Sequence, residues 1–414
     1  RRQINMAKGS VYLCLIVFLL GGSAAAQQGA KKLARQPIAI TPGFFASLNT
    51  RPKHMATNKL SAAVNAMAKK QDLRIISLPN FTSSFAFDGQ TFPFTMVGQD
   101  PAKRKTSVIP TQYIALSFFF DEFVDQNGNN IVIDTSVVNK PLAASPLFNN
   151  AQYGTGFTQY EDSVMRAEFF PLFNKDGDAD KDDHYHVLLG NPQPLIPVTI
   201  EVPFGSSQVF VDNQGTFFAL IDINFLVSQL NTLLQTEPVS TTSIPMLIGR
   251  NAVYGDFFDG APVDCCIGGF HSAFESNQVG NKIFVQTLAF GAWLDSDVAG
   301  AIFGDPTIFA DVFGISHELG ETLNDPFVNN ATPSYQLPGF PAGACKNILE
   351  VGDVVEETAN PSFPVTLDEF TYHPQTLALL QWFEGVTSSN AFNGDYSFPG
   401  NNLTAPFTPC PATP

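Results

Sequence analysis

Residues 305–326, DPTIFADVFGISHELGETLNDP, decide how the rest of the chain is read. Asp305 ahead of Pro306 is a helix-start signal: the Asp side chain can cap free N–H groups, and Pro at the first helical position loses no hydrogen bond. Asn324 tolerates a left-handed turn and Pro326 cannot continue a helix, so the spacing predicts roughly 18 residues of helix between these signals. Ile308, Val312, Leu319 and Leu323 form one apolar stripe. On an adjacent face His317 and Glu321 stand four apart, one turn above each other, in the pattern HExxE. An imidazole and a carboxylate so placed can hold a metal ion.

Upstream the pattern changes from helical to period two. Phe85 and Phe87, then Phe92, Phe94 and Met96, then Ile114, Leu116, Phe118 and Phe120 alternate, with turn residues at Gly89, Gly98 and Asn127-Gly128. Such alternation predicts antiparallel sheet. Further strands are expected at 198–202, in a hairpin over 209–221, and at 244–248, 266–271 and 282–290. Phe225, Leu226, Leu230 and Leu233 predict a helix that ends at Glu237-Pro238. Residues 163–170 fit a short helix or a strand, and a last helix is expected near 374–383. The reading is therefore α+β: an N-terminal antiparallel β-rich domain over 75–238, and a domain over 239–385 that carries the HExxE helix. A tail rich in Asn and Pro follows over 386–414.

Residues 1–26 read as a signal peptide, with Met6, Lys8, an apolar run over 11–20 and the small residues Ala24-Ala25-Ala26. A secreted or extracytoplasmic protein, with no stable membrane association after cleavage, is the expectation. Taking Arg1, Arg2 and Lys8 from the 22 bases leaves 19 against 38 acids, a balance of −19. The basic residues concentrate in an arm with a short helix over 27–74, where nine bases meet the single acid Asp72. An acidic body of this kind repels nucleic acid and anionic membranes. Cys265, Cys266, Cys345 and Cys410 remain, an even count that in a secreted chain favours disulfides. Pairings that join Cys265 and Cys266 separately to Cys345 and Cys410 are preferred over a vicinal bridge.

Asp176, Asp178 and Asp180 alternate like the start of a calcium loop, but Lys181 stands where the loop wants Gly and Val187 where it wants an acid. Calcium there competes with a solvated acidic loop. His184 and His186 share a strand face and read first as structural or surface residues, with no third ligand beside them.

Strands followed by a helix carrying HExx, with a ligand one turn on, resemble the zincin metallopeptidases. The resemblance implies a zincin-like α/β domain, zinc, and a peptide or protein substrate held along an edge strand such as 282–290. His317 would be a zinc ligand, Glu318 the general base for the zinc-bound water, and Glu321 the second ligand in place of the usual His. A carboxylate in that position makes zinc a weaker Lewis acid, so metal binding is expected ahead of hydrolysis. The third ligand is open among Asp325, Glu350 and Asp353, with His271 and His373 as further candidates. Tyr372 and His373 could alternatively donate hydrogen bonds to an oxyanion. SHELGETLNDP, EVGD and YHPQTLALLQWF together also resemble a group of uncharacterised secreted bacterial proteins across residues 80–385, which implies a shared architecture and no particular activity. The competing function is a non-catalytic secreted binding or cell-surface protein, its HExxE helix a structural or degenerate metal site. GxSxG, GxGxxG and Walker sequences are absent, which leaves no nucleophile-elbow or nucleotide reading.

Overall fold

The computed structural model describes residues 74–173, 184–386 and 394–411, with the short strands Ile38–Ala39 and Lys53–His54. The signal peptide over 1–26, most of the basic arm with its helix, and the loop holding Asp176, Asp178 and Asp180 lie outside the described residues. Asn80–Phe87 (β1) and Gln90–Val97 (β2) form the expected antiparallel hairpin, with Phe85 opposite Phe92. Asp88 and Gly89 turn it with positive φ, a conformation Gly adopts without steric cost.

The main sheet is built from Thr111–Val124 (β3), Val198–Glu201 (β4), Ser207–Val211 (β5), Phe217–Asp222 (β6), Ile244–Arg250 (β7), Ala252–Gly255 (β8), Ile267–Val279 (β9) and Lys282–Trp293 (β10). Its central order is β5-β6-β8-β9-β10-β7-β3, and β4 pairs with β3. The pairs β5/β6, β8/β9 and β9/β10 are antiparallel, whereas β6/β8, β10/β7, β7/β3 and β4/β3 are parallel. This corrects two expectations. β3 is not part of a purely antiparallel domain, because its long apolar run is buried on both faces and takes parallel partners. Nor does a boundary fall at Pro238: β3 and β7, from either side of it, are adjacent strands of one compact unit spanning Ala34–Pro414.

Alternation along the strands sorts side chains onto two faces, each with its own core. Tyr113, Ala115, Met246, Ile248, Ala289 and Trp293 join one cluster with Val312, Ile315, Leu319 and Leu323. Ile114, Leu116, Leu247, Leu288 and Phe290 join the other, with Leu226 and Leu230 of the helix Ile223–Thr236 and Val298 and Ile302 of the helix Ser296–Phe303. Helices thus cover both faces of the sheet, which is why its central strands read as continuous apolar runs.

The HExxE helix, Phe313–Asn324, is shorter than its start signal suggested. Asp305 does cap, but only a local turn, accepting from the Thr307 N–H at 2.8 Å. Phe309 and Asp311 then take positive φ and break the path before the helix begins. The stop signal falls where expected, at Asn324. Asp325 accepts from the N–H groups of Asn329 and Asn330, and Asn330 donates to the Asn324 carbonyl at 2.7 Å and to the Thr95 carbonyl of β2 at 2.7 Å. The free carbonyl end of the helix is thereby satisfied and tied to the hairpin.

Two further expectations are resolved or corrected. Residues 163–170 fall largely within a helix, Tyr160–Glu168. The last helix covers only Leu380–Glu384, because residues 377–378 pair with Ser397–Phe398 as a short strand instead. The cysteines pair Cys265–Cys266 and Cys345–Cys410, contrary to the cross-links expected. Cys265 and Cys266 are buried in the sheet's second core, out of reach of the other two. Cys345 lies in the hairpin formed by Ala331–Gln336 and Cys345–Ile348, and the tail runs beside that hairpin, with Pro409 bridging Tyr335. No described helix is long and apolar enough to cross a membrane.

Candidate metal centre

Why the HExxE helix lies so deep follows from glycines beneath it. In the β9/β10 register Gly269 faces Gly291 and His271 faces Ala289, all on the side of the sheet that the helix covers. A Cβ at Gly291 would come within 2.7 Å of the Ile315 backbone, and one at Gly269 within 2.7 Å of Glu318 Oε1. Only bare backbone at these two positions lets the helix settle onto the strands. Every residue of the helix is buried. Period-two alternation then brings His271, two residues on from Gly269, up against the helix.

The arrangement centres on Glu321, and its two carboxylate oxygens face different imidazoles. Oε1 is 3.1 Å from His317 Nε2, and Oε2 is 3.1 Å from His271 Nδ1. Glu318 Oε2 is 3.5 Å from His271 Nδ1, and Asp353 Oδ1 is 3.7 Å from His317 Nε2. Asp353 is also paired with Lys346. The backbone N–H groups of Gly352 and Asp353 approach Glu321 Oε1 at 3.1 and 3.3 Å. His317, Glu318 and Glu321 are 0% exposed, and His271, Glu350 and Asp353 no more than 4%.

The tautomer of His317 can be deduced. Gln375 donates through Nε2 to the Gly352 carbonyl at 2.7 Å, so its Oε1, 2.7 Å from His317 Nδ1, must be the acceptor. His317 therefore carries a proton on Nδ1, which in a neutral ring leaves the lone pair on Nε2, facing Glu321. A lone pair and a carboxylate oxygen 3.1 Å apart in a buried site repel unless a cation lies between them, either a proton or a metal. A metal-bound imidazole usually donates its outer N–H to a fixed acceptor, and Gln375 Oε1 is such an acceptor here. Gln375 is in turn held by its own N–H, which donates to Ser316 Oγ at 2.9 Å.

The electrostatics of the protein without metal fit this balance. Burial pushes Glu321 up, but His317 and His271 overcome it and hold its carboxyl well below the usual range. Burial works against charge on His271, yet hydrogen bonds to Glu318 and Glu321 raise its pKa well above the usual value. Burial, with the Glu321 charge beside it, pushes Glu350 up to about 8. Protons thus take the place that a metal would neutralise. The residues themselves fit a divalent ion, since the donor atoms of His317, Glu318 and Glu321 lie within 4.8 Å of one another, as do those of His271, Glu321 and Glu350.

Of the candidates for a third ligand, Glu350 and His271 are brought together with Glu321, and Asp353 borders His317. Asp325 instead accepts from the N–H groups of its own turn, and burial raises its pKa to about 7. His373 binds Asp311 through Nδ1 at 2.7 Å, and Tyr372 donates to the Pro141 carbonyl at 2.8 Å, so the contacts of both are elsewhere. His186 pairs with Asp162 at 2.7 Å, and His184 is exposed. The strand proposed to hold substrate, β10, pairs along one side with β9, and on the other with Arg74–Ile76 at 282–284 and with β7 at 289–293. Gln375 and Gly352 lie within the stretches YHPQTLALLQWF and EVGD, but nothing in either stretch marks them out as site residues.

No protein-family model matches the chain, and neither the curated proteins nor the solved structures gave a match.

Proposed function

We propose that this is a secreted metalloprotein whose HExxE helix, with β9 and the turn over 349–353, forms a closed divalent metal centre that braces the fold. The observation that carries the proposal is the burial of every donor, together with the Gly352 backbone laid against the His317 ring. A Cβ at Gly352 would lie 2.5 Å from His317 Nδ1, so this turn seals the side of the imidazole. A catalytic zinc keeps one position open to substrate, whereas a structural zinc is enclosed. Nitrogen and carboxylate donors without thiolate suit zinc, and also manganese or ferrous iron. Two disulfides and the leader-like residues 1–26 support an extracytoplasmic setting.

One observation favours a second reading, a zincin-like peptidase. Glu318 follows His317 directly and falls in the same donor group, where a general base would stand. That reading requires the turn over 349–353 to move aside for a peptide. Metal analysis of the purified protein beside His317→Ala tests the first reading: at least one bound equivalent, with a lower metal content in the variant, is expected, and less than about 0.1 equivalent in the wild type would overturn it. Proteolysis that depends on Glu318, abolished in Glu318→Gln with metal retained, would replace the first reading with the second.

A further inference from the structure

We infer that the centre holds two divalent cations bridged by the Glu321 carboxylate, an inference that rests on the metal-centre reading above. One ion would take His317 Nε2 and Glu321 Oε1 with Glu318; the other would take His271 Nδ1 and Glu321 Oε2 with Glu350.

Four observations carry this. First, the donors gather in two groups that share only Glu321, and neither group contains both imidazoles. Ligands of one ion, with bonds of roughly 2.1 Å, are at most about 4.2 Å apart. Two imidazoles that fall in separate groups are therefore not ligands of one ion. Second, each Glu321 oxygen stands 3.1 Å from a different imidazole nitrogen. With bonds of roughly 2.1 Å, that separation corresponds to a ligand–metal–ligand angle of roughly 95° on each side. Syn–syn bridging by one carboxylate suits ions about 3.5–4 Å apart, the spacing of two-metal sites.

Third, the second group contains a buried polar atom with no hydrogen-bond partner among the described residues: Glu350 Oε1, on a residue 1% exposed. Buried polar atoms in folded proteins nearly always have a partner, so an orphaned carboxylate oxygen beside a second imidazole points to a missing ligand. Fourth, charge counts in the same direction. Glu318, Glu321 and, once an ion displaces its proton, Glu350 bring up to three negative charges into a site with essentially no exposure, and Asp353 is already paired with Lys346. One divalent ion leaves a buried carboxylate uncompensated, which is costly; a second offsets it.

The test is stoichiometry. The full-length protein is stripped with chelator, equilibrated with Zn2+ or Mn2+, freed of excess ion, and its metal content measured, with circular dichroism to confirm folding. Two equivalents are expected in the wild type. One is expected in Glu350→Gln and in His271→Asn, which disable only the second group, and a different single ion should remain in His317→Asn. In the Mn2+ form, two ions bridged by one carboxylate give an exchange-coupled paramagnetic resonance spectrum, and Glu350→Gln should replace it with that of an isolated ion. One equivalent in the wild type, or two retained in Glu350→Gln, overturns the two-ion inference while leaving a metal centre in place. No bound metal in the wild type overturns the metal-centre reading itself.

Discussion

Replacing Gln375 with Met removes the amide that holds His317 while keeping a side chain of similar volume. The His317 Nδ1–H loses the acceptor it has at 2.7 Å, and the Gly352 carbonyl loses its 2.7 Å bond from Gln375 but keeps the Val355 N–H at 3.2 Å. A buried donor left unsatisfied costs about 1–3 kcal/mol and a lost hydrogen bond about 0.5–1.5 kcal/mol, so Gln375→Met should lower the stability of the metal-free protein by about 1.5–4.5 kcal/mol. With metal present a further loss is expected, because the imidazole is no longer fixed with its lone pair toward Glu321. Outer-shell substitutions of this kind weaken metal affinity about 10–100-fold, which by linkage is about 1.4–2.7 kcal/mol more. The assay is urea unfolding of wild type and variant, each in excess Zn2+ and in chelator, beside a competition titration with a chromophoric chelator. The difference between the two proteins should be larger in metal than in chelator by that second amount. An affinity within about twofold of wild type would refute the deduction that Gln375 sets the His317 tautomer for metal.

Three other outcomes follow from separate parts of the molecule. Gly352→Ala places a Cβ 2.5–2.6 Å from three atoms of the His317 ring, so either turn or ring must shift; a loss of about 1–3 kcal/mol in unfolding free energy with weakened metal binding is expected, and unchanged binding would contradict the packing described. The Cys345–Cys410 bridge closes a separation of 65 residues, and its removal by paired Ser substitutions should cost about 4 kcal/mol by denaturant unfolding on the chain-entropy account. Burial raises Glu384 to about 7, beside Glu168, which burial and the Glu384 charge also raise. A carboxyl with a raised folded-state pKa binds its proton more tightly when folded, so the stability this gives is full below the unfolded value of about 4.5 and is lost as pH rises through about 7. Glu384→Gln should therefore be more stable than wild type at pH 8 by up to about 3 kcal/mol, with the gap closing below pH about 4.5 in urea unfolding curves.

Much of this architecture is legible in the chain because local signals and burial agree. Period-two alternation marks β1, β2 and the β5/β6 hairpin, and the Asn324 and Pro326 stop signal holds because the helix end is bonded by Asn330. Asp305 does not start the helix: the same capping chemistry serves an isolated turn when later residues, Phe309 and Asp311, are held at positive φ. Parallel pairing of β3 with β7 joins residues more than a hundred positions apart, and alternation carries no record of which strand lies alongside. The same gap explains the cysteines. Their partners depend on where the tail runs, and Pro409 beside Tyr335 is a tertiary contact without a local signature.

The site divides in the same way. His317 and Glu321 are visible as a helical pair, because their relation is local and periodic. His271 is brought to them by strand register, two residues from a glycine whose lack of a side chain admits Glu318. Glu350 and Asp353 could be suspected from their acidity but not ranked. What separates them from Asp325 is that its carboxylate is taken up by its own turn. Gln375, a neutral amide with no motif, is legible only once its two hydrogen bonds are seen.

The central claim, a cation enclosed between His317 and Glu321, is tested most directly by anomalous diffraction from crystals grown with Zn2+, recorded on either side of the zinc absorption edge. The account predicts a peak about 2 Å from both His317 Nε2 and Glu321 Oε1. Well-ordered side chains at this site with no anomalous peak, and His317 hydrogen-bonded directly to Glu321, would contradict it.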